Sequence, residues 1–183
     1  MTDFPVHSIE TAPEGSKIAL EALKSAFGFI PNIAGAMATS PVLIGSLTDL
    51  FGRVHGGSFS EAEIQILLLT NAVTNRAEWA VSFHSYLAIA AGIRADEVEA
   101  IRSGALPKDA KHAALSKLAR ALIEKRGRIG KAEKHEFFDA GFDASRLLEV
   151  VAVVAASTIT NYTSNIAEPS LEAMFQPHAW QAR

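Results

Sequence analysis

Residues 60–93 read SEAEIQILLLTNAVTNRAEWAVSFHSYLAIAAGI, a stretch that contains two successive helix signals. Ser60 and Glu63 have the capping-box spacing, in which each side chain can bond to the backbone N–H of the other residue. A helix is therefore expected to begin directly after Ser60. Asn75 and Arg76 then form a break before a second helix. The two predicted helices cover about 61–74 and 77–91.

The rest of the chain is divided by Gly, Pro and capping residues into further helices, and no alternating β-branched run closed by a hairpin turn indicates a strand. The segment 147–156 is apolar almost all round, which predicts a place at the centre of a bundle. The aromatic-rich stretch 175–180 is expected to pack on this subunit or on a neighbour. We predict an all-α multi-helix bundle, a single domain over 1–183 with its core motif at 60–93. The other predicted helices cover about 14–27, 32–40, 41–54, 96–103, 109–126, 131–140 and 144–166.

Composition limits the classes of function. The chain has 183 residues, of which 49% are apolar, so it can bury a core. Its 17 basic and 20 acidic residues give a net charge of −3 and are scattered, so no nucleic-acid partner is predicted. The longest apolar run, 150–156, is far shorter than the ~20 residues of a membrane span, and the N-terminus has no secretory pattern. We predict a cytoplasmic protein that does not bind a membrane.

The chain contains no cysteine. It therefore cannot form an internal disulfide, bind a metal through thiolate or use a cysteine nucleophile of its own. We predict neither a metal site nor a cofactor.

Histidine is the side chain best suited to proton exchange near neutral pH, and His84 is the candidate among six. Counting back from His84 by four and then by three residues reaches Ala80 and Ala77, so the imidazole shares a helix face with two small side chains. The other five lie near the chain ends, on polar faces or at a helix end, and are expected to be solvated or structural. They are His7, His55, His112, His135 and His178.

Several parts of the sequence form a pattern found in one superfamily. Within residues 60–93 it consists of Asn75, Glu78, Val81, Phe83, His84 and the Ala-Gly-Ile turn at 91–93. Outside it, the matching parts are Phe-Ile-Pro-Asn at 29–32, Ser-Pro at 40–41, Arg-Gly at 126–127, Asn-Tyr-Thr at 161–163 and Ala-Trp at 179–180. The chain resembles the carboxymuconolactone decarboxylase and AhpD-like alkylhydroperoxidase superfamily, in particular its peroxidase-related subgroup. The resemblance implies an AhpD-like helical bundle and a homo-oligomer, a trimer or a hexamer.

The catalytic motif of that superfamily is only partly present. In the peroxidase branch the core reads Glu, then Asn-Gly-Cys-x-Tyr-Cys-x-x-x-His. Against this pattern the two redox-cysteine positions fall on Ala77 and Ala80, the aromatic residue between them is Trp79, the histidine is His84, and the proton-relay glutamate falls on Gln65. The reaction oxidises one thiolate and resolves it with a second thiol, and alanine can do neither. The resemblance therefore implies a relative without thiol peroxidase activity.

Two interpretations of the remaining residues stay open. One is a degenerate relative that binds a small molecule in an apolar pocket beside His84. That pocket would be lined by Trp79, Phe83, Tyr162 and Asn165.

The alternative is an acid/base enzyme similar to the decarboxylase branch, in which His84 acts on a small carboxylated or lactone substrate. Its partner would be Glu78 or Glu63. Glu63 cannot simply replace Gln65, because two residues along a helix is a rotation of about 200°. The hydrogen-bond donors available for this chemistry are Ser82, Tyr86, Tyr162 and Asn165.

Overall fold

The computed structural model describes residues 4–182, and this part of the chain is helical and contains no strand. The predicted all-α class is confirmed. The predicted helix ends lie within two residues of the observed ones, except that the second helix ends three residues early. The elements are α1 (Glu14–Phe27), α2 (Asn32–Met37), α3 (Pro41–His55), α4 (Glu61–Thr74), α5 (Glu78–Ala90), α6 (Ala95–Arg102), α7 (Ala110–Glu124), α8 (Lys131–Asp139), α9 (Ala144–Ala167) and a 3₁₀ helix (Ala173–His178).

The start of α4 is fixed by the capping box that the sequence predicts. The Ser60 Oγ accepts a hydrogen bond from the backbone N–H of Glu63 at 3.3 Å, and the Glu63 carboxylate accepts one from the backbone N–H of Ser60 at 2.8 Å. Such a cap satisfies two helix-terminal donors at once.

A tight turn at 75–77 joins α4 to α5. Arg76 adopts a left-handed conformation with φ 53°, and the backbone N–H of Ala77 donates to the carbonyl of Ala72 at 2.9 Å. The side chain of Asn75 donates to the carbonyl of Asn71 at 2.9 Å, which satisfies a further carbonyl at the end of α4. This turn sends α5 back along α4 and brings the two helices into contact.

α4 occupies the centre of the bundle. Every residue from 64 to 72 is buried, and the helix packs against α5, α7 and α9. α1, α2 and α3 pack against one another, and α2 and α3 also pack against α9. A helix that is apolar nearly all round is typical of such a central position.

α9 is central on one side only. Its inner side packs against α2, α3, α4, α5 and α7. On the other side four large side chains are 45–69% exposed, and two of them, Leu148 and Val151, lie within 147–156. The predicted central position therefore holds for the inner side of this segment only. At 100° per residue these four positions fall within about 60° of one another and extend over about 27 Å. This exposed stripe of α9 consists of Leu148, Val151, Tyr162 and Ile166.

Among the helices of residues 4–182, α9 is the one that is long and apolar enough to cross a membrane. Its inner side lies against five other helices, as in the core helix of a soluble bundle, which passes the same test of length and composition.

The C-terminal segment packs on α5 through one aromatic anchor. Phe175 is only 1% exposed. Its ring lies 5.2 Å from that of Phe83, 5.3 Å from that of Tyr86 and 6.4 Å from that of Trp79, all edge-on. Edge-on aromatic pairs at these distances stabilise a cluster beyond the area they bury.

Arg102 on α6 holds the end of the same segment. Its guanidinium donates to the carbonyl oxygens of His178 and Ala179 at 2.9 and 3.0 Å, and its own carbonyl accepts from the Trp180 indole at 3.1 Å. Of the two alternatives that the sequence leaves for the aromatic-rich C-terminal stretch, this subunit or a neighbour, the structure shows packing on this subunit.

The aromatic anchor gives a stability prediction. Replacing Phe175 by alanine should lower the free energy of unfolding by about 3 kcal/mol, because loss of the buried ring leaves a cavity beside Trp79, Phe83 and Tyr86. Urea denaturation followed by circular dichroism measures this change. Replacing the neighbouring Met174, which is 44% exposed, should change it by less than about 0.5 kcal/mol. Equal effects of the two substitutions would show that the segment is not anchored through Phe175.

Candidate functional site

Four polar side chains form a hydrogen-bonded chain from the interior of the bundle to its surface, called here the polar chain. His84 Nδ1 lies 3.0 Å from Gln65 Oε1, Gln65 Nε2 lies 2.7 Å from Glu61 Oε1, and Glu61 Oε2 lies 2.9 Å from His55 Nδ1. His84 and Gln65 are 3% and 1% exposed, whereas the side chains of Glu61 and His55 are 55% and 38% exposed.

Three helices supply these groups. Glu61 and Gln65 lie one turn apart on α4, so both point to the same side of that helix. His84 faces them from α5, and His55 reaches them from the last residue of α3.

The position of each proton in the polar chain follows from Glu61. The hydrogen bond from His55 is the main cause that lowers the pKa of the Glu61 carboxyl below its usual value, and the bond from Gln65 acts in the same direction against partial burial. An ionised carboxylate only accepts hydrogen bonds, so the amide nitrogen of Gln65 must face it. The amide oxygen of Gln65 is then left to accept from His84, and His84 Nδ1 must carry the proton.

His84 is neutral as well as fixed in its tautomer. Burial lowers its pKa to about 3, with nearby His55 acting in the same direction and Glu61 opposing it. A neutral imidazole has one proton, which Nδ1 holds, so Nε2 presents a lone pair. Nε2 has no hydrogen-bond partner in residues 4–182. The side-chain atoms there that are both fully buried and unpaired belong to Asn71 and Asn161, so Nε2 keeps some accessible surface. His84 lines the cavity described next, and Nε2 is accessible from it.

A cavity of about 530 Å³ adjoins the polar chain, and all four members of the chain line it. This volume is within the usual range for small-molecule sites. Apart from the polar chain its walls are mainly apolar and come from α1, α2, α3, α4, α5 and α9. The other lining residues are Ala22, Leu23, Ala26, Phe27, Pro31, Ile33, Ala34, Met37, Leu47, Thr48, Phe51, Gly52, Leu68, Trp79, Phe83, Leu87 and Thr160.

One wall is built from two stacked rings. The rings of Trp79 and Phe83 lie 4.8 Å apart at 19°, and Phe27 meets Phe83 edge-on at 5.6 Å. The indole N–H of Trp79 donates to Glu172 at 2.9 Å, and the other oxygen of that carboxylate accepts from the backbone N–H of Asn32 at 2.6 Å. Glu172 thus connects the aromatic wall to the start of α2.

Six residues that the sequence analysis assigns to the site do not line the cavity in the structure. Ala77 and Ala80 are fully buried but do not line the cavity, although His84 beside them does. Glu63 belongs to the capping box, and its carboxylate bonds to Ser60. The space beside His84 therefore does not arise at the two alanine positions, and Glu63 is not a partner of His84.

The other three lie on the outside of the bundle. Glu78 is exposed and accepts from the backbone N–H of Ala182 at 3.0 Å. Tyr162 is 56% exposed on α9, and Asn165 donates to the carbonyl of Asn75 at 3.0 Å. Tyr162 and Asn165, which the sequence analysis places at the pocket, are not among the residues that line this cavity. Trp79 and Phe83 do line it.

Sequence reasoning missed Glu61 and His55. The signal was present for Glu61, because a carboxylate four residues before Gln65 shares its helix face, whereas Glu63 does not. No comparable signal existed for His55, since its approach depends on how α3 packs beside α4. Within residues 4–182 no group of three or more His, Asp and Glu side chains is arranged to hold a metal ion.

Comparison with solved structures identifies the fold. The chain matches the AhpD core of an uncharacterized peroxidase-related protein from Ralstonia eutropha JMP134 with a TM-score of 0.82 and 14% identity, over 94% of this chain and 93% of that one. An uncharacterized peroxidase-related protein from Silicibacter sp. TM1040 gives a TM-score of 0.79 and 17% identity, over 99% and 94%. The chain has an AhpD-like fold. Its sequence matches no protein-family model and no curated protein.

Two further structures with the AhpD-like fold are of the debrominase Bmp8. Its apo form gives a TM-score of 0.78 and 15% identity, over 96% of this chain and 94% of that one. A cysteine-to-alanine variant of Bmp8 in complex with 2,3,4-tribromopyrrole gives 0.76 and 15%, over 97% and 95%.

The buried neutral His84 gives a prediction for the pH dependence of stability. Its pKa is about 3 in the folded protein and about 6.5 in an unfolded chain, so below pH 6.5 the unfolded chain binds a proton that the folded one does not. The free energy of unfolding should therefore fall from this cause, by on the order of 1 kcal/mol per pH unit between pH 6 and 4. His84→Asn keeps a donor toward Gln65 but cannot titrate, and should make this slope shallower by that amount.

The control is His135→Asn, since His135 is exposed on α8. This variant should keep a slope close to that of the wild type in urea denaturation at each pH. An unchanged slope in His84→Asn would contradict the assignment of His84 as a neutral buried base.

Proposed function

We propose that this protein is a cysteine-free member of the AhpD-like structural class that binds a small apolar molecule in the cavity beside His84. The observation that carries the proposal is the accessible Nε2 of His84 in an apolar cavity of about 530 Å³. Specific small-molecule sites typically combine apolar walls with a few fixed polar groups. An apolar cavity of about 150 Å³ is already enough to hold benzene.

The Bmp8 complex supports the proposal. Its ligand, 2,3,4-tribromopyrrole, is a small halogenated heterocycle, and the protein in that complex carries alanine in place of a cysteine. An AhpD-like fold can therefore hold such a molecule without that sulfur atom. The present chain has no cysteine at all, so it has no thiol of its own that could react with a bound molecule.

The polar chain argues against the acid/base alternative. A general base works best with a pKa near the working pH, whereas the pKa of His84 is lowered to about 3. Gln65 separates His84 from Glu61, and a carboxamide does not exchange protons as a carboxylate does. His84 is thus suited to hold a ligand by accepting a hydrogen bond.

Binding of fluorobenzene, followed by ¹⁹F NMR titration, tests the proposal. The wild type should show saturable binding. Ala26→Trp, at a cavity-lining position on an exposed part of α1, should weaken it about tenfold or more because the indole fills the space. Ala110→Trp, at the exposed start of α7 and outside the cavity, is the matched control and should bind as the wild type does. Binding that is absent from the wild type, or equal in all three proteins, would contradict the proposal.

We also propose that copies of this chain associate through the exposed stripe of α9. An apolar stripe about 27 Å long on a single helix is the kind of surface that a second helix covers. A groove lined by Leu122, Ile129, Leu147 and Val154 lies beside it and also includes two stripe residues. This arrangement supports the homo-oligomer that the sequence resemblance implies.

Light scattering coupled to gel filtration should therefore give a mass of at least two chains. Ile166→Glu should lower that mass, because Ile166 lies in the stripe and is 66% exposed. Ile18→Glu on α1, where the isoleucine is 80% exposed, is the matched control and should leave the mass unchanged. A monomeric wild type at micromolar concentration would overturn the proposal.

A further inference from the structure

The polar chain determines what His84 can offer to a molecule in the cavity. Glu61 requires the amide nitrogen of Gln65, the amide oxygen of Gln65 requires a proton on His84 Nδ1, and Nε2 is left as an acceptor. Reversing this order would bring the Gln65 oxygen against the Glu61 carboxylate, which offers no proton. His84 Nε2 is therefore a hydrogen-bond acceptor in the cavity. The Glu61 carboxylate, which is closer to the surface, fixes this role through Gln65.

The charges around the cavity disfavour an anion. No lysine or arginine is among its lining residues in the described part of the chain. The single anionic side chain there is that of Glu61, and the adjoining His55 already donates to it. A carboxylate ligand would lose its hydration, meet the lone pair of His84 and find no unengaged cation, which is a costly burial of charge.

The other polar side chains of the cavity do little to select between a donor and an acceptor on the ligand. The Thr48 hydroxyl bonds to the carbonyls of Ile44 and Gly45 within its own helix at 3.1 and 3.0 Å. The Thr160 hydroxyl can donate or accept. The stacked rings of Trp79 and Phe83 both line the cavity and add aromatic surface to it, which favours an aromatic partner.

From these observations we infer that the cavity selects neutral, planar, apolar molecules that carry one O–H or N–H donor, as phenols and azoles do, and rejects carboxylates of the same shape. The donor bonds to His84 Nε2 while the ring lies against Trp79 and Phe83. The inference rests on the proposed small-molecule binding. It adds that the ligand is neutral and donates a hydrogen bond to His84.

Three probes of nearly the same size separate the two proposals: fluorobenzene, 4-fluorophenol and 4-fluorobenzoate, each titrated into the wild type and followed by ¹⁹F NMR. The phenol should bind about fivefold tighter than fluorobenzene, the ratio expected for one net hydrogen bond. The benzoate should bind more weakly than fluorobenzene. Equal binding of phenol and fluorobenzene would overturn the inference while leaving the proposed function intact. Binding of none of the probes would overturn both.

Two substitutions test whether the polar chain causes the preference for a hydrogen-bond donor over a carboxylate. His84→Phe keeps a ring but removes the acceptor, and should make phenol and fluorobenzene bind equally. Gln65→Glu places a second carboxylate beside Glu61, which favours a charged His84 with a proton on Nε2. This variant should lose the phenol preference and gain affinity for 4-fluorobenzoate. Retention of the wild-type order of the three probes in a folded Gln65→Glu protein would overturn the inference, whether or not His84→Phe folds.

Discussion

The carboxamide of Gln65 accepts a hydrogen bond from His84 and donates one to Glu61, and most of the chemistry of the site depends on this pair of bonds. A carboxamide has a donor end and an acceptor end that cannot exchange as the oxygens of a carboxylate can. With its nitrogen held by Glu61, it fixes the tautomer of a buried imidazole. Because burial also keeps that imidazole neutral, His84 becomes a directed acceptor. A glutamate at this position would instead favour its protonation.

The bundle places this acceptor against open space. α4 and α5 hold His84 and Gln65 in the interior, while α1, α2 and α3 close the apolar side of the cavity. The C-terminal segment supports the aromatic wall from behind, through Phe175 against Trp79 and through the carboxylate of Glu172. The cavity walls thus depend on residues far apart along the chain, and its only titratable groups within residues 4–182 belong to the polar chain.

Local signals in the sequence predicted the helices well, because caps and glycines act within a few residues. The capping box at Ser60 is an example. The candidate role of position 65, by contrast, follows from the family resemblance and not from a local signal. The features that could not be predicted from the sequence depend on how the helices pack. The exposed side of α9 and the approach of His55 to Glu61 are set by which helices are neighbours. Ala77 and Ala80 mark where thiols stand in the family that the chain resembles, but the space beside His84 opens on another side.

The protonation state of the His84 ring is the most direct measure of this account. ¹⁵N NMR of histidine-labelled protein reports the two ring nitrogens separately, and substitution of His84 assigns its signals. We predict a protonated Nδ1 and an unprotonated Nε2, with both shifts unchanged from pH 8 to pH 5. A proton on Nε2, or a ring that becomes positively charged within that range, would contradict the claim that Gln65 and Glu61 hold His84 as an acceptor facing the cavity.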